Sequence, residues 1–215
     1  FWDTYELEGE NMKMQPEKTD IAVIVERLIP EKQKLPMAIQ RKLTISVNKP
    51  VFEIPAVWCD PKKITHVISN LLDNAVYYTE QGSVVVNYEI IDKKYLKIKV
   101  TDTGAGITQE DQKRLFKKFS RGHTASSLHP DGSGLGLYIS KKIAESNAGE
   151  MTYESNGVSG GSTFAFTVPL YQNQQPNDSQ KKQGAKRDKI VVFKQNNKVT
   201  NKIYGKKANP NKEIE

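Results

Sequence analysis

Three short stretches carry residue types and spacings that suit chemistry on a phosphorylated ligand. In Asp131-Gly132-Ser133-Gly134-Leu135-Gly136-Leu137, three glycines alternate just before an amphipathic helix. Without Cβ atoms the backbone N–H groups can turn inward and close on an anion, and the helix adds its unpaired N–H groups and the positive end of its dipole. A flexible Gly-Ser linker has the same composition, so the loop is not diagnostic alone. In Val100-Thr101-Asp102-Thr103-Gly104-Ala105-Gly106-Ile107, a carboxylate and two glycines end the alternating run Leu96, Ile98, Val100. Asp102 at such a strand end could accept a hydrogen bond from an exocyclic amine and so read adenine rather than guanine, although Asp-x-Gly-x-Gly is also an ordinary turn. In Asn70-Leu71-Leu72-Asp73-Asn74-Ala75 the two asparagines are four apart and share a helix face. A carboxamide oxygen is a neutral hard ligand suited to Mg²⁺, while the plain alternative is a solvated helix surface.

The order and intervals of these stretches resemble the ATP-binding domain of sensor histidine kinases, within the GHKL ATPases that include DNA gyrase and mismatch-repair ATPases. The asparagine helix is similar to the N box, Asp102 to Gly106 to the G1 box, Leu115-Phe116-Lys117-Lys118-Phe119 to the F box and Gly132 to Gly136 to the G2 box. Gly160-Gly161-Ser162-Thr163-Phe164 is similar to the family's last glycine motif. The resemblance covers nearly all of residues 1–170. It implies ATP and Mg²⁺ as cofactors, with Asn74 as the metal ligand, Asn70 near the phosphates and Asp102 reading adenine with Thr163 nearby. It also implies Gly104, Gly106 and Ile107 beneath the ring, Tyr78 flanking the nucleotide, and Gly132, Gly134, Leu135, Gly136 and Leu137 around the phosphates. Arg121 matches a position whose cation reaches the γ-phosphate.

Position 70 separates branches of the group. Hydrolysing members carry a glutamate there as general base, whereas Asn70 cannot take a proton. The resemblance therefore implies a protein-histidine kinase that hands its γ-phosphoryl to another group, with Asn70, Asn74 and Arg121 as the catalytic set. Two other readings stay open: a degenerate nucleotide-binding or docking module, and an ATP-hydrolysing GHKL enzyme. Many histidine kinases place a lysine and then an aromatic residue three positions after the metal asparagine, and this chain has Tyr77-Tyr78 there. The missing cation must come from elsewhere, with Lys117, Lys118, Lys141 and Lys142 as candidates.

None of His66, His123 and His129 precedes an acidic residue as a phosphoacceptor histidine does in the family. The acceptor is therefore expected on a phosphoacceptor and dimerisation hairpin of the same kinase that is not present in this chain, with residues 1–15 resembling the end of a hairpin helix and a linker. The resemblance further implies a homodimeric parent and a response regulator receiver domain as the next partner. No Cys, His or carboxylate cluster at metal spacing accompanies the histidines.

The elements that must position these residues follow from periodicity. A helix is expected from Asp20 to about Ile29, stopped or kinked by Pro30, followed by strands over Leu43–Val47 and Val51–Trp58. Asp60-Pro61 opens the asparagine helix with a capping residue and a proline at its first position. Val84–Ile91 and Tyr95–Val100 form a hairpin around Asp92-Lys93-Lys94. Leu135–Ser146 is a helix closed near Asn147-Ala148-Gly149, and Met151–Glu154 and Thr163–Pro169 are the last strands. Residues 107–132 read as a lid with a short helix over Asp111–Phe119, whose Leu115, Phe116 and Phe119 pin it down. The fold class is α+β: a two-layer α/β sandwich of the Bergerat ATP-binding type, its mixed, mostly antiparallel sheet covered by helices on one face.

The 215 residues, 37% of them hydrophobic, provide one core of ordinary size. This core is assigned to residues 16–171, and 172–215 to a basic, disordered tail. The whole net charge of +7 falls in that tail, which holds 11 Lys+Arg against 4 Asp+Glu. Without interleaved aromatic residues the tail makes no stacking platform, so no nucleic acid partner is expected; anionic surfaces and a purely solvated extension stay open. No apolar run approaches the roughly 20 residues of a membrane span. The single cysteine, Cys59, excludes an internal disulfide and suits a cytoplasmic domain, whose parent could still be anchored in the inner membrane.

Overall fold

The computed structural model describes residues 12–120, 133–155 and 157–172. Residues 12–16 are not helical; Met12 packs against the core, and the chain then enters strand β1 (Glu17–Thr19). Asp20 caps helix α1 (Ile21–Gln33), its Oδ1 accepting from the Ala22 and Val23 amides. The buried positions Ile21, Ile24, Val25, Leu28 and Ile29 follow the helical period. The helix runs through Pro30 instead of ending there. Pro30 is exposed, so the hydrogen bond it removes faces water, and Ile29 and Lys32 keep both sides of it anchored.

Helix α2 (Pro36–Gln40) leads to β2 (Thr44–Val47). The strand expected over 51–58 is confined to β3 (Val57–Cys59), because Val51 stands fully in solvent and has no ladder to join. Asp60 and Pro61 then start α3 (Pro61–Tyr78), whose stripe of Ile64, Val67, Ile68, Leu71, Leu72, Ala75 and Val76 is buried. Strands β4 (Ser83–Ile91) and β5 (Tyr95–Asp102) form the expected hairpin. Its turn is closed by a Lys94 N–H to Ile91 carbonyl bond of 2.9 Å, with Asp92 and Lys93 both at positive φ.

After β5 come the single-turn α4 (Gln109–Gln112), α5 (Gly136–Ser146), β6 (Met151–Ser155) and β7 (Ser162–Pro169). The main sheet has the order β2-β4-β5-β7-β6; β2 is parallel to β4 and the other pairs are antiparallel. Alternation sends Val84 and Val86, Leu96, Ile98 and Val100, and Phe164, Phe166 and Val168 to one face, where they join α1, α3 and α5 in a single core. Lys97, Lys99 and Thr101 take the other face. The result is the expected two-layer sandwich. A separate two-stranded sheet pairs β1 with β3.

Helix α5 closes where the sequence places its end, with Asn147 as the C-cap. Ala148, not Gly149, takes the left-handed conformation (φ 57°). Gly149 is needed for space: a Cβ there would run into the Thr167 carbonyl of β7.

Candidate functional site

Helix α3 carries Asn70 and Asn74, one turn apart and half-buried. The Asn70 amide donates to Ser140 Oγ of α5 at 3.0 Å, and its oxygen lies where a Cβ on Gly136 would be. The first turn of α5 therefore rests directly on Asn70. Among the described residues, the Asn74 carboxamide has no hydrogen-bonding side-chain partner. Asp73, between them in sequence, points to a different side and pairs with buried Lys32 at 2.7 Å.

Asp102 ends β5 and is 6% exposed. Its Oδ1 accepts from the Gly104 N–H at 2.8 Å. Burial pushes its pKa above the usual carboxylate value, opposed by the backbone hydrogen bonds from Gly104 and Ser162. The loop that follows is built from main chain against main chain. Ala105 N–H donates to the Tyr78 carbonyl at 3.0 Å, and Gly104 has no room for a Cβ beside that same carbonyl. On the other side, Ser159 N–H reaches the Ala105 carbonyl at 2.6 Å and Gly161 N–H the Gly104 carbonyl at 3.2 Å. Gly106 (φ 68°) and Gly161 (φ 70°) both lie where a side chain would strike backbone. Ile107 packs against the core and donates its N–H to Ser155 Oγ.

The C-terminal end of α3, which carries Tyr77 and Tyr78, is held by a residue that the motifs gave no reason to notice. Arg41 Nη1 donates to the carbonyls of Val76, Tyr77 and Thr79 at 3.2, 2.9 and 3.0 Å. These are orphan acceptors of a helix end, and a cation there also suits the dipole.

Thr163 does not stand beside Asp102. The β5–β7 register pairs it with Thr101, whose hydroxyl is 3.0 Å from its own, on the open face of the sheet. There it borders a polar depression of about 340 Å³ with Asn87, Glu89, Lys99 and Glu154. Asp102 pairs with Ser162, which the strand period turns to the helix-covered side. Counting strand parity from Phe166, buried in the core, would have found Ser162 in the sequence.

At the start of α5, Gly134 adopts φ 69°, and among the described residues no side chain caps the first-turn amides. Leu135 N–H is 3.3 Å from Ser133 Oγ, and Leu137 packs against the core. Gly132, Arg121, His123 and His129 lie outside the described residues. The F-box stretch is held by Leu115 and by Phe116, which meets Tyr153 edge-on at 5.9 Å with Lys141 over its ring. Phe119 is 67% exposed and is not among the described residues packed against the core. Of the candidate cations, Lys141 and Lys142 face Glu145, and Lys118 sits over the Tyr138 ring at 5.2 Å. His66 is half-buried on α3, and burial lowers its pKa.

The family described as histidine kinase-, DNA gyrase B- and HSP90-like ATPase matches residues 59–172, which hold Asn70, Asn74, Asp102 and the loop at Gly134. Sensor protein EvgS of Escherichia coli K12 is 33% identical over 178 residues, covering 80% of this chain. Sensor histidine kinase RcsC of the same strain is 33% identical over 179 residues, covering 81%. The chain spans only 14% of EvgS and 18% of RcsC. Full-length ShkA, solved in complex with AMPPNP, superposes with a TM-score of 0.65 at 24% identity, covering 77% of this chain and 33% of ShkA. The catalytic domain of histidine kinase ThkA gives 0.61 at 21% identity, covering 73% of this chain and 99% of that domain. Among the described residues no helix is long and apolar enough to cross a membrane. The chain belongs to the histidine kinase-, DNA gyrase B- and HSP90-like ATPases, and within them it is an ATP-binding catalytic domain of the sensor histidine kinase type.

Proposed function

We propose that this chain holds Mg-ATP between α3, the Asp102 strand end and the first turn of α5, and presents the γ-phosphoryl to a histidine on a helical hairpin. The observation that carries this reading is the contact of Asn70 with Ser140 and Gly136, which brings the asparagine face of α3 to the uncapped amides of α5. A carboxamide at that place cannot act as a base toward water, so the site favours transfer over hydrolysis. Catalysis is then mainly positioning and charge neutralisation.

Asp102 accepts the adenine amine, with Ser162 on its side of the sheet in place of Thr163. Gly104, Gly106 and Ile107 form the floor, and Tyr78 flanks the ring. The amides around Gly134, Leu135, Gly136 and Leu137 meet the phosphates, joined by Gly132. Arg121 is the candidate for the γ-phosphate. The donor set suits Mg²⁺: the Asn74 carboxamide is half-exposed and offers a neutral oxygen, and magnesium takes few protein ligands while keeping water and phosphate oxygens. When bound, the metal neutralises phosphate charge. The proposed partners are the phosphoacceptor and dimerisation hairpin of a homodimeric parent and a response regulator receiver domain. Residues 1–15 and 172–215 are proposed to flank the catalytic domain as linker and basic tail, and nothing favours a nucleic acid partner.

Calorimetry with Mg-AMPPNP tests the site, and phosphate release from ATP tests the reaction. Binding in the micromolar to millimolar range is expected, lost in Asp102→Ala, with little steady phosphate release. No heat at millimolar nucleotide from folded protein would favour a docking module. Steady phosphate release that Asn70→Ala leaves intact and Asn74→Ala abolishes would make it a hydrolase.

A further inference from the structure

Three segments from distant parts of the sequence meet at Asp60. Its Oδ1 accepts from the Lys62 and Lys63 amides, each at 3.1 Å, and so caps α3. Its Oδ2 accepts from Gln15 N–H at 3.0 Å, in the stretch that enters β1. Its own N–H donates to Asn147 Oδ1 at 2.9 Å, while Asn147 Nδ2 closes the last turn of α5 on the Ile143 carbonyl at 2.9 Å. Asp60 is 4% exposed and Asn147 6%. A helix cap needs one side-chain oxygen. The second oxygen and the N–H of Asp60 do something else: they bind the incoming chain and the end of another helix.

The start of α3 thus meets the end of α5, so the two helices run antiparallel. Ten residues further along α3, about 15 Å at helical rise, Asn70 meets Ser140 and Gly136 near the start of α5. The pair is fastened at two places, one at Asp60 and the other inside the proposed nucleotide site. We propose that Asp60 and Asn147 are positioning residues linking the path of the chain at Gln15 to the spacing of the two helices that hold the nucleotide. This rests on the nucleotide site proposed above.

A cap alone would affect stability and nothing more. A link is reciprocal: if the chain path at Gln15 bears on nucleotide affinity, nucleotide must bear on Gln15 to the same degree. The test is hydrogen exchange of the Gln15 amide in the full chain, with and without saturating Mg-AMPPNP, beside calorimetry. Nucleotide is expected to slow that exchange in the parent chain. Asn147→Ala should weaken nucleotide about fivefold or more and abolish the slowing even at saturation. Val25→Ala, a core change in α1 with a similar loss of Tm, should leave both intact. Asp60→Asn keeps a capping oxygen but turns an NH₂ toward Gln15 N–H; it should lose the slowing at Gln15 while Tm changes little. Nucleotide binding that leaves Gln15 exchange unchanged in the parent, or Asn147→Ala behaving like Val25→Ala, overturns the link. No heat from the parent chain overturns the nucleotide site itself, and the link with it.

Discussion

At the Asp102 end of the site, main chain meets main chain: the Gly104–Ile107 loop is fastened to the Tyr78 carbonyl on one side and to Ser159 and Gly161 on the other. At the Asn74 end, side chains on two helix surfaces face each other, and among the described residues Asn70 is engaged across the gap while the Asn74 carboxamide is not. The first end is fixed by absent Cβ atoms and tolerates no added atom. The second is adjustable, because half-exposed side chains can turn to meet phosphate and metal without moving backbone. The proposed function, reading a rigid purine ring and then delivering a mobile phosphoryl group, would use this division.

The largest expected effect breaks the rigid end. Gly106→Ala puts a side chain at φ 68° and drives its Cβ into the Gly157 carbonyl. Left-handed strain and backbone displacement together should cost about 3 kcal/mol or more, read by urea denaturation, with nucleotide binding lost alongside. A variant of parental stability would mean that the Gly157 loop gives way easily and that this end is not rigid.

Asn74→Ala should do the opposite at the adjustable end. Alanine is the better helix former at a half-exposed position, so Tm should hold or rise slightly. Mg-dependent nucleotide affinity should fall at least about tenfold, measured by calorimetry with and without EDTA. Asn70→Ala loses its bond to Ser140, so it should lower Tm and affinity together. If the two variants behave alike, the helix does not divide its asparagines between holding α5 and holding metal.

The two ends also differed in how far sequence revealed them. Asp102, Gly104 and Gly106 were visible because a carboxylate at the end of an apolar alternation and glycines at strained turns leave a local signature. Arg41, Ser140 and the Asp60–Asn147 contact were not, since each acts on a residue 35 or more positions away and none belongs to a motif. The motif points to Thr163 near Asp102, but the register sets Ser162 opposite Asp102 and Thr163 opposite Thr101, and one residue along a strand exchanges faces. Local propensity predicts that Pro30 stops or kinks the helix. Tertiary burial of Ile29 and Lys32 overrode that preference.

A smaller effect concerns the charge held at the rigid end. Burial raises the Asp102 pKa, so its ionised form is disfavoured in the folded state relative to the unfolded chain. The penalty is present at neutral pH and is relieved as pH falls through the raised folded value toward the unfolded one. Asp102→Asn has no such titration. The Tm difference between parent and Asp102→Asn should therefore shift in favour of the parent as pH falls through that window, while the parent loses nucleotide. A difference independent of pH would mean that the Gly104 and Ser162 hydrogen bonds fully offset burial.

The smallest single effect is expected at Phe119, in contrast to Phe116 of the same motif. Phe116 meets the edge of Tyr153 and lies under Lys141, so Phe116→Ala should lose part of the roughly 3–5 kcal/mol that a fully buried ring contributes. Phe119, three residues on, is 67% exposed at φ 56°, a conformation in which a bulky side chain gains nothing locally. Phe119→Ala should change stability by less than about 0.5 kcal/mol, and Phe119→Gly should be neutral or slightly stabilising because glycine accepts positive φ. A loss from Phe119→Ala as large as that from Phe116→Ala would show that Phe119 is packed in solution, and the stretch after Phe116 would then belong with the rigid end of the site.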